Sequence, residues 1–380
     1  MLYTRSVGFE DFLGNTQTVT HLRESMRAGR FPHSLILAGP KGAGKYTLAL
    51  MLARAFNCLN PVTSPSPSGP LPDFCGVCSN CERIGAAVDL EARVAEAVEA
   101  REGLRETDKK ETRILIQTHP DVLIVPPDPP QLQIKIGQVR QAIHVAYYRP
   151  PVEAKRTFTI FTSSAFMREA ANSLLKLLEE PPEHTSLILL TENAQELLPT
   201  IRSRAVVHRL GAVPAAELET LLAVRRPQLK AGDRALASRL AQGAVGRALS
   251  IDLSAYLASR QDALVIVRTA LREPDYSQLF HATESYRAGA DGQEKAIGLL
   301  RALGGVLNDL LLVTAGTPHL VRNLDLLAEL EKLAEGLSVD WIDGAARAMA
   351  QVEQGMRRNL LRSLSLDALA VGMEPALRRG

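Results

Sequence analysis

The run Gly39-Pro40-Lys41-Gly42-Ala43-Gly44-Lys45 constrains this chain more than any other segment of it. It lies between a short apolar run, Ser34–Ala38, and a stretch of helical spacing at residues 45–56. A glycine-rich turn between a buried strand and a helix aims backbone N–H groups and a helix N-terminus at one point, which attracts phosphate. The spacing is the G-x4-G-K of a phosphate-binding loop, in the strand-to-helix context that motif requires. Gly39, Gly42, Gly44 and Lys45 are therefore candidate nucleotide-binding residues, with Lys45 a point charge for the terminal phosphates. The next position departs from the motif. A small alcohol there ligates the magnesium of a bound nucleotide. This chain has Tyr46; Thr47, the fifth candidate nucleotide-binding residue, comes one position late. A phenol is too large to take that alcohol's place against the metal, so ATP binding is left open while the Mg2+ ligation is expected to be lost.

The flanking pattern sets the fold class. Val122–Val125 and residues 158–161 and 187–190 are further short apolar runs, separated by helical patterns at Ile136–Tyr147 and 166–178. Strands alternating with helices predict a parallel α/β sheet. Aromatics are only 4% of the chain, so its core must rest on Leu, Ala, Val and Ile. Residues 61–72, rich in Ser and Pro, read as a flexible loop, and the charged residues 88–110 as a solvated insertion. The interrupting segment as a whole, residues 88–117, has no role that the sequence assigns. Beyond about residue 209 strand signals stop. Residues 213–255 read as short helices and 256–380 as helical throughout, with Leu/Ala-rich stretches at 293–315 and 323–336. The expected division is an α/β domain over 1–208, a small helical domain over 209–255 and a larger all-α domain over 256–380.

Composition excludes several classes. A net charge of +2 is too small for a protein that coats nucleic acid by itself. No apolar run approaches the roughly 20 residues that span a bilayer. The stretch Met1-Leu2-Tyr3-Thr4-Arg5 lacks a signal peptide's apolar core, so the cytoplasm is the expected location, with no membrane partner.

All four cysteines, Cys58, Cys75, Cys78 and Cys81, lie within one short segment. Such a cluster in a cytosolic chain reads as metal before disulfide. Four thiolates suit a closed tetrahedral zinc site with no open position, hence a structural Zn2+ module over 58–81 rather than a catalytic metal.

Several stretches together resemble the clamp-loader ATPases of bacterial DNA polymerase III, a branch of the AAA+ family. Phe31-Pro32-His33-Ser34 precedes the phosphate loop, and the cysteines follow its helix at the family's spacing. His119-Pro120-Asp121, Ile134-Lys135-Ile136 and Val139-Arg140 match more weakly. The specific segments are Asn172-Ser173-Leu174-Leu175-Lys176-Leu177-Leu178-Glu179-Glu180-Pro181-Pro182 and Leu198-Pro199-Thr200-Ile201-Arg202-Ser203-Arg204. The match is strong over about 8–208, weak over 209–255, and beyond that only the helical character agrees.

The resemblance implies an AAA+ P-loop domain with a zinc module, a helical lid and a C-terminal collar that holds an oligomer together. Family motors carry Asp-Glu at the positions that fall here on Phe161 and Thr162, so the carboxylates that hold magnesium and polarise water are absent. With Tyr46, two parts of the hydrolytic apparatus are missing, and phosphoryl transfer depends on just that positioning and metal charge. The expectation is a chain without its own ATPase activity, in the delta-prime branch of the family. The alternative is a gamma/tau-like motor with rearranged magnesium ligation. The resemblance places a trans-acting arginine finger at Arg204 and a sensor residue at Thr191. The arginine expected in the second sensor falls on Gly246, beside Arg247. Lys135 and Arg140 fall on a helix start that faces DNA. Gamma/tau and delta subunits, a sliding clamp and primed DNA are the implied partners.

Overall fold

The computed structural model describes residues 8–147, 155–271, 276–284, 286, 289–356, 365–366 and 368–370. The chain falls into two compact units, Met1–Pro214 with Gly243–Arg247, and Ala215–Gln242 with Ala248–Gly380. The segment Met1–Arg5 and the last ten residues of the expected C-terminal helical stretch lie outside the described residues.

In the first unit the strands are β1 (Ser34–Ala38), β2 (Val62–Ser64), β3 (Leu71–Asp73), β4 (Ile116–His119), β5 (Val122–Val125), β6 (Thr157–Phe161), β7 (Thr185–Thr191) and β8 (Val206–Arg209). The helices are α1 (Thr16–Arg27), α2 (Lys45–Asn57), α3 (Ser79–Gly85), α4 (Leu90–Glu102), α5 (Glu106–Glu111), α6 (Ile136–Tyr147), α7 (Arg168–Glu179) and α8 (Pro199–Arg202). Among the described residues a six-stranded sheet runs β4-β5-β6-β7-β1-β8. Every pair is parallel except β4 with β5, where the short His119-Pro120-Asp121 connection permits a hairpin.

Taken in chain order, the five parallel strands lie 5-1-4-3-2 across the sheet. This is the AAA+ P-loop sheet that the sequence led one to expect. The four central strands β5, β6, β7 and β1 are buried at every residue because both faces are covered, while the edge strands β4 and β8 are partly exposed. Leu35 and Leu37 of β1 point into one core with α2, while Ile36 and Ala38 point into the other with α6 and α7. The chain leaves β1 between β7 and β8, so the crevice beyond the strands' carboxyl ends opens at the end of β1, where the phosphate loop begins.

Two segments differ from expectation. Residues 61–72 hold an antiparallel hairpin, β2 with β3, instead of a flexible loop throughout. Buried Arg23 of α1 fixes it by donating to the carbonyls of Pro72 (2.9 Å) and Leu71 (3.0 Å), with Asp73 beside it. The charged insertion is two helices, α4 and α5, and it is not solvated throughout. Its Val88, Leu90 and Val94 pack on the core, and Arg101 is buried against Asp128 at 2.6 Å. Lys135 shares the same carboxylate at 3.6 Å.

After α11 (Val245–Ser250), which begins in the first unit, the remaining helices belong to the second. With α9 (Ala215–Arg225) and α10 (Ala231–Leu240), it contains α12 (Leu253–Leu271), α13 (Tyr276–Glu284), α14 (Gly289–Thr314), α15 (Leu327–Ala334) and α16 (Val339–Met356). The segment Gly292–Thr314, with mean hydropathy 1.7, is long and apolar enough to cross a bilayer, contrary to the expectation that no apolar run approaches that length. Its Leu299, Leu303, Val306 and Leu310 are instead buried in a helical core with Leu264, Val267 and Trp341. Fully buried Asp309 on the same helix accepts from the amides of Arg322 and Asn323, both at 3.0 Å.

Breaking a buried ion pair from one side is costly, and removing Arg101 leaves buried Asp128 only the longer contact to Lys135. Arg101→Ala should therefore lower stability by about 3 kcal/mol, read as a shift of the urea midpoint. Arg93→Ala on the same helix, which breaks a half-exposed pair with Glu96, should move the midpoint far less.

Candidate functional site

The phosphate loop closes on itself and on one distant segment. Gly42 has φ +84°, and a Cβ there would meet the Arg247 amide nitrogen at 2.9 Å. Reciprocally, the Gly246 amide donates to the Gly42 carbonyl at 2.8 Å, and a Cβ on Gly246 would lie 3.2 Å from Gly42 Cα and O. The position where the resemblance expects a sensor arginine thus packs tightly against the loop, and a side chain there would push the Gly42 backbone aside by a few tenths of an ångström. Lys45 donates to the carbonyls of Gly39 and Pro40, the latter at 2.9 Å. Burial lowers its pKa, and the charges of Glu192 and Glu196 oppose that shift.

Tyr46 does something the motif's alcohol cannot. Its phenol donates to the carbonyl of Ala87, just beyond α3, at 2.6 Å. Burial raises its pKa far above the ordinary phenol value, so it is a neutral donor at any physiological pH.

A cavity of about 580 Å³ opens here. Its loop side is Lys41, Gly42, Gly44, Lys45, Tyr46 and Thr47. Thr162, Ser163 and Ser164 follow the end of β6 along the cavity; of the two positions where the resemblance puts a motor's carboxylates, Thr162 lines the cavity and Phe161 is fully buried in the core. Thr191 and Glu192 come from the end of β7, Glu196 follows, and Val88 and Leu90 make an apolar wall from the insertion. The expected sensor Thr191 is engaged locally. It donates to the Asn193 carbonyl (2.8 Å) and to Glu196 (3.0 Å), which also accepts from Ser164 (2.6 Å). The Ser164 hydrogen bond leads in holding the Glu196 pKa below the usual carboxylate range.

Sequence reasoning missed Glu192, Glu196 and the Val88/Leu90 wall. The acids sit in a β7-to-α8 turn that no motif marks, and the wall lies in a segment whose charge masks its two apolar contacts.

The four cysteines come together. Their Sγ atoms all lie within 4.8 Å of one another. Cys58 Sγ is 3.5 Å from Cys75 Sγ and 3.9 Å from Cys78 Sγ. A tetrahedron with metal–sulfur bonds of about 2.3 Å has edges of about 3.8 Å, so this cage fits a four-coordinate soft cation. Cys58 caps the C-terminus of α2, Cys78 is the N-cap of α3, and Cys81 lies in its first turn. Backbone amides of Cys75, Leu59 and Cys78 point at sulfurs at 3.3–3.4 Å, the outer contacts that thiolate ligands use. Burial pushes the Cys78 thiol up, but hydrogen bonds from the Cys81 and Leu59 amides and the neighbouring thiols outweigh it and bring the group down to about 6.

Arg204 follows α8 and is exposed. Its guanidinium rests on Glu179 at the end of α7, with Nε at 2.9 Å and a terminal nitrogen at 2.7 Å. The other terminal nitrogen donates to the Thr200 carbonyl at 2.9 Å. Arg204 does not line the cavity. Lys135 sits just before α6 on Asp128, while Arg140 is exposed on that helix.

The sheet order and this cavity define a P-loop protein of AAA+ type. A family model described as DNA polymerase III, delta subunit, matches residues 14–214, and the chain belongs to that family of clamp-loader subunits of DNA replication. It is 27% identical over 219 residues to DNA polymerase III subunit gamma/tau of Mycobacterium tuberculosis, covering 58% of this chain and 31% of that one. It is 33% identical over 184 residues to subunit delta' of Bacillus subtilis, covering 48% and 43% respectively. The solved gamma subunit-related protein of Thermotoga maritima overlaps it with TM-score 0.34 at 19% identity, over 77% of this chain and 92% of that one. The chain thus spans less than half the length of these curated relatives.

The cage predicts one tightly held divalent metal per chain. Non-denaturing mass spectrometry should find it in protein purified under reducing conditions, and Cys81→Ser should abolish the one-to-one stoichiometry.

Proposed function

We propose that this chain is a delta-prime-like subunit of the DNA polymerase III clamp loader that does not hydrolyse ATP itself. The observation that carries this reading is the magnesium side of the cavity. Tyr46 is committed to Ala87, and buried Phe161 with cavity-lining Thr162 stands where a motor's carboxylates are expected. Packing at Gly246 supports it independently, since a sensor side chain there would press on the loop backbone. Without metal ligands the phosphoryl group's developing charge has nothing to balance it.

The reading gives Arg204 its work elsewhere. An exposed guanidinium off its own cavity suits delivery to a neighbour's nucleotide. A trans arginine finger contributes about 10³–10⁵ in rate. Gamma/tau and delta subunits, the sliding clamp and primed DNA are the proposed partners, in the cytoplasm. On this reading residues 209–255 are the lid and 256–380 the collar. Lys135 and Arg140 would touch DNA phosphates, with Asp128 already sharing the charge of the first. The metal is zinc, held by Cys58, Cys75, Cys78 and Cys81 in a structural role. One observation favours a gamma/tau-like motor instead: Thr47, Glu192 and Glu196 line the same cavity and could supply rearranged ligands.

Reconstitution separates these. Arg204→Ala should cut the ATPase rate of a loader assembled with gamma/tau and delta homologues by roughly 10³-fold or more at the site it serves. Thr47→Ala with Glu196→Gln should change nothing in that assay. Unchanged activity with Arg204→Ala would overturn the finger, and loss with the second pair would favour the motor.

A further inference from the structure

Helix α2 joins the two sites of the first unit end to end. Its first residues, Lys45 and Tyr46, belong to the phosphate loop and cavity, and its C-cap is Cys58. Its thirteen residues separate those ends by roughly 18 Å. The return path is α3, which starts at the cage with Cys78 and Cys81 and leads to Ala87, whose carbonyl receives the Tyr46 phenol. The residue after Ala87, Val88, lines the cavity, as does Leu90. The Arg54 guanidinium of α2 lies over Gly85 of α3, in the space a Cβ there would take. Cage, α2, phenol and α3 thus form a closed ring, with the metal position at one end and the cavity wall at the other.

We infer that metal held by the four cysteines controls the shape of the phosphate cavity, and that Tyr46 is the positioning residue through which it does so. This rests on the reading of the cysteines as a metal site. The physical reason is the unequal anchoring of the ring. Ile84 and Ala87 hold the far end of α3 in the core, and Asn80 donates to the Asn57 carbonyl, but the helix takes its N-cap, Cys78, and Cys81 of its first turn from the cage. Without metal α3 loses those two anchors at its start, and the Ala87 carbonyl and the Val88/Leu90 wall are held by core packing alone. Fraying at the Cys58 end of α2 stays within its last turn and does not reach the phosphate loop. The signal therefore passes through α3 and the Tyr46 hydrogen bond. The residue that displaced the magnesium alcohol would then have acquired a different task, coupling the loop to the cage.

The test is hydrogen exchange of the full chain, metal-loaded and after chelation, for wild type, Tyr46→Phe and Tyr46→Thr. In wild type, chelation should speed exchange over residues 75–90 and, by roughly fivefold or more, over residues 42–48, the scale of losing one buried hydrogen bond. In Tyr46→Phe, residues 75–90 should still respond and residues 42–48 should already exchange fast and no longer respond. Tyr46→Thr should behave likewise, so the test does not depend on one variant folding. Amides of β7 should stay protected throughout. A metal-loaded wild type whose residues 42–48 ignore chelation would overturn the inference, as would a Tyr46→Phe chain that responds like wild type, or loss of β7 protection on chelation. Protein purified without any metal would overturn the metal reading and this inference together.

Discussion

A side chain at position 46 can ligate magnesium or reach across to α3, but not both. The alcohol that serves a metal must be short and stay beside the loop. The Tyr46 phenol extends away from it to the Ala87 carbonyl and is buried there. The rest of the cavity is consistent with that choice. Past the end of β6 it is lined by the hydroxyl residues Thr162 and Ser163. Gly246 lies against Gly42, where a side chain would press on the loop backbone. The parallel sheet needs none of these chemical groups, only a strand, a glycine turn and a helix.

That separation explains what the sequence made legible. Strand β1, the phosphate loop, helix α6 and the cysteine cage were readable because each depends on local pattern: an apolar run, glycine spacing, a helical period, thiol spacing. The hairpin at residues 61–72 was not, because what orders it is Arg23, some forty residues away in sequence. The insertion was misjudged for the same reason. Its charged composition describes its outer face, while Arg101 and Leu90 decide where it sits through partners that no local pattern names. In the cavity, Tyr46 announced itself as a departure from a motif. Glu192 and Glu196 did not, because their position depends on how the β7-to-α8 turn folds back over the loop.

The two sites also differ in what they ask of the chain. The cage satisfies a metal's geometry with four sulfurs and backbone amides. The cavity keeps the form of a phosphate site while its polar groups satisfy one another: Lys45 with loop carbonyls, Thr191 and Ser164 with Glu196. Arg204 is the contrast, an exposed guanidinium held at the surface by half-exposed Glu179 and the Thr200 carbonyl, where an ion pair contributes little.

The most direct measurement is ATP turnover by the purified, metal-loaded chain alone, with and without magnesium. The account predicts no turnover above the background of a Lys45→Ala control in either condition. Magnesium-dependent hydrolysis that Lys45→Ala abolishes would contradict it.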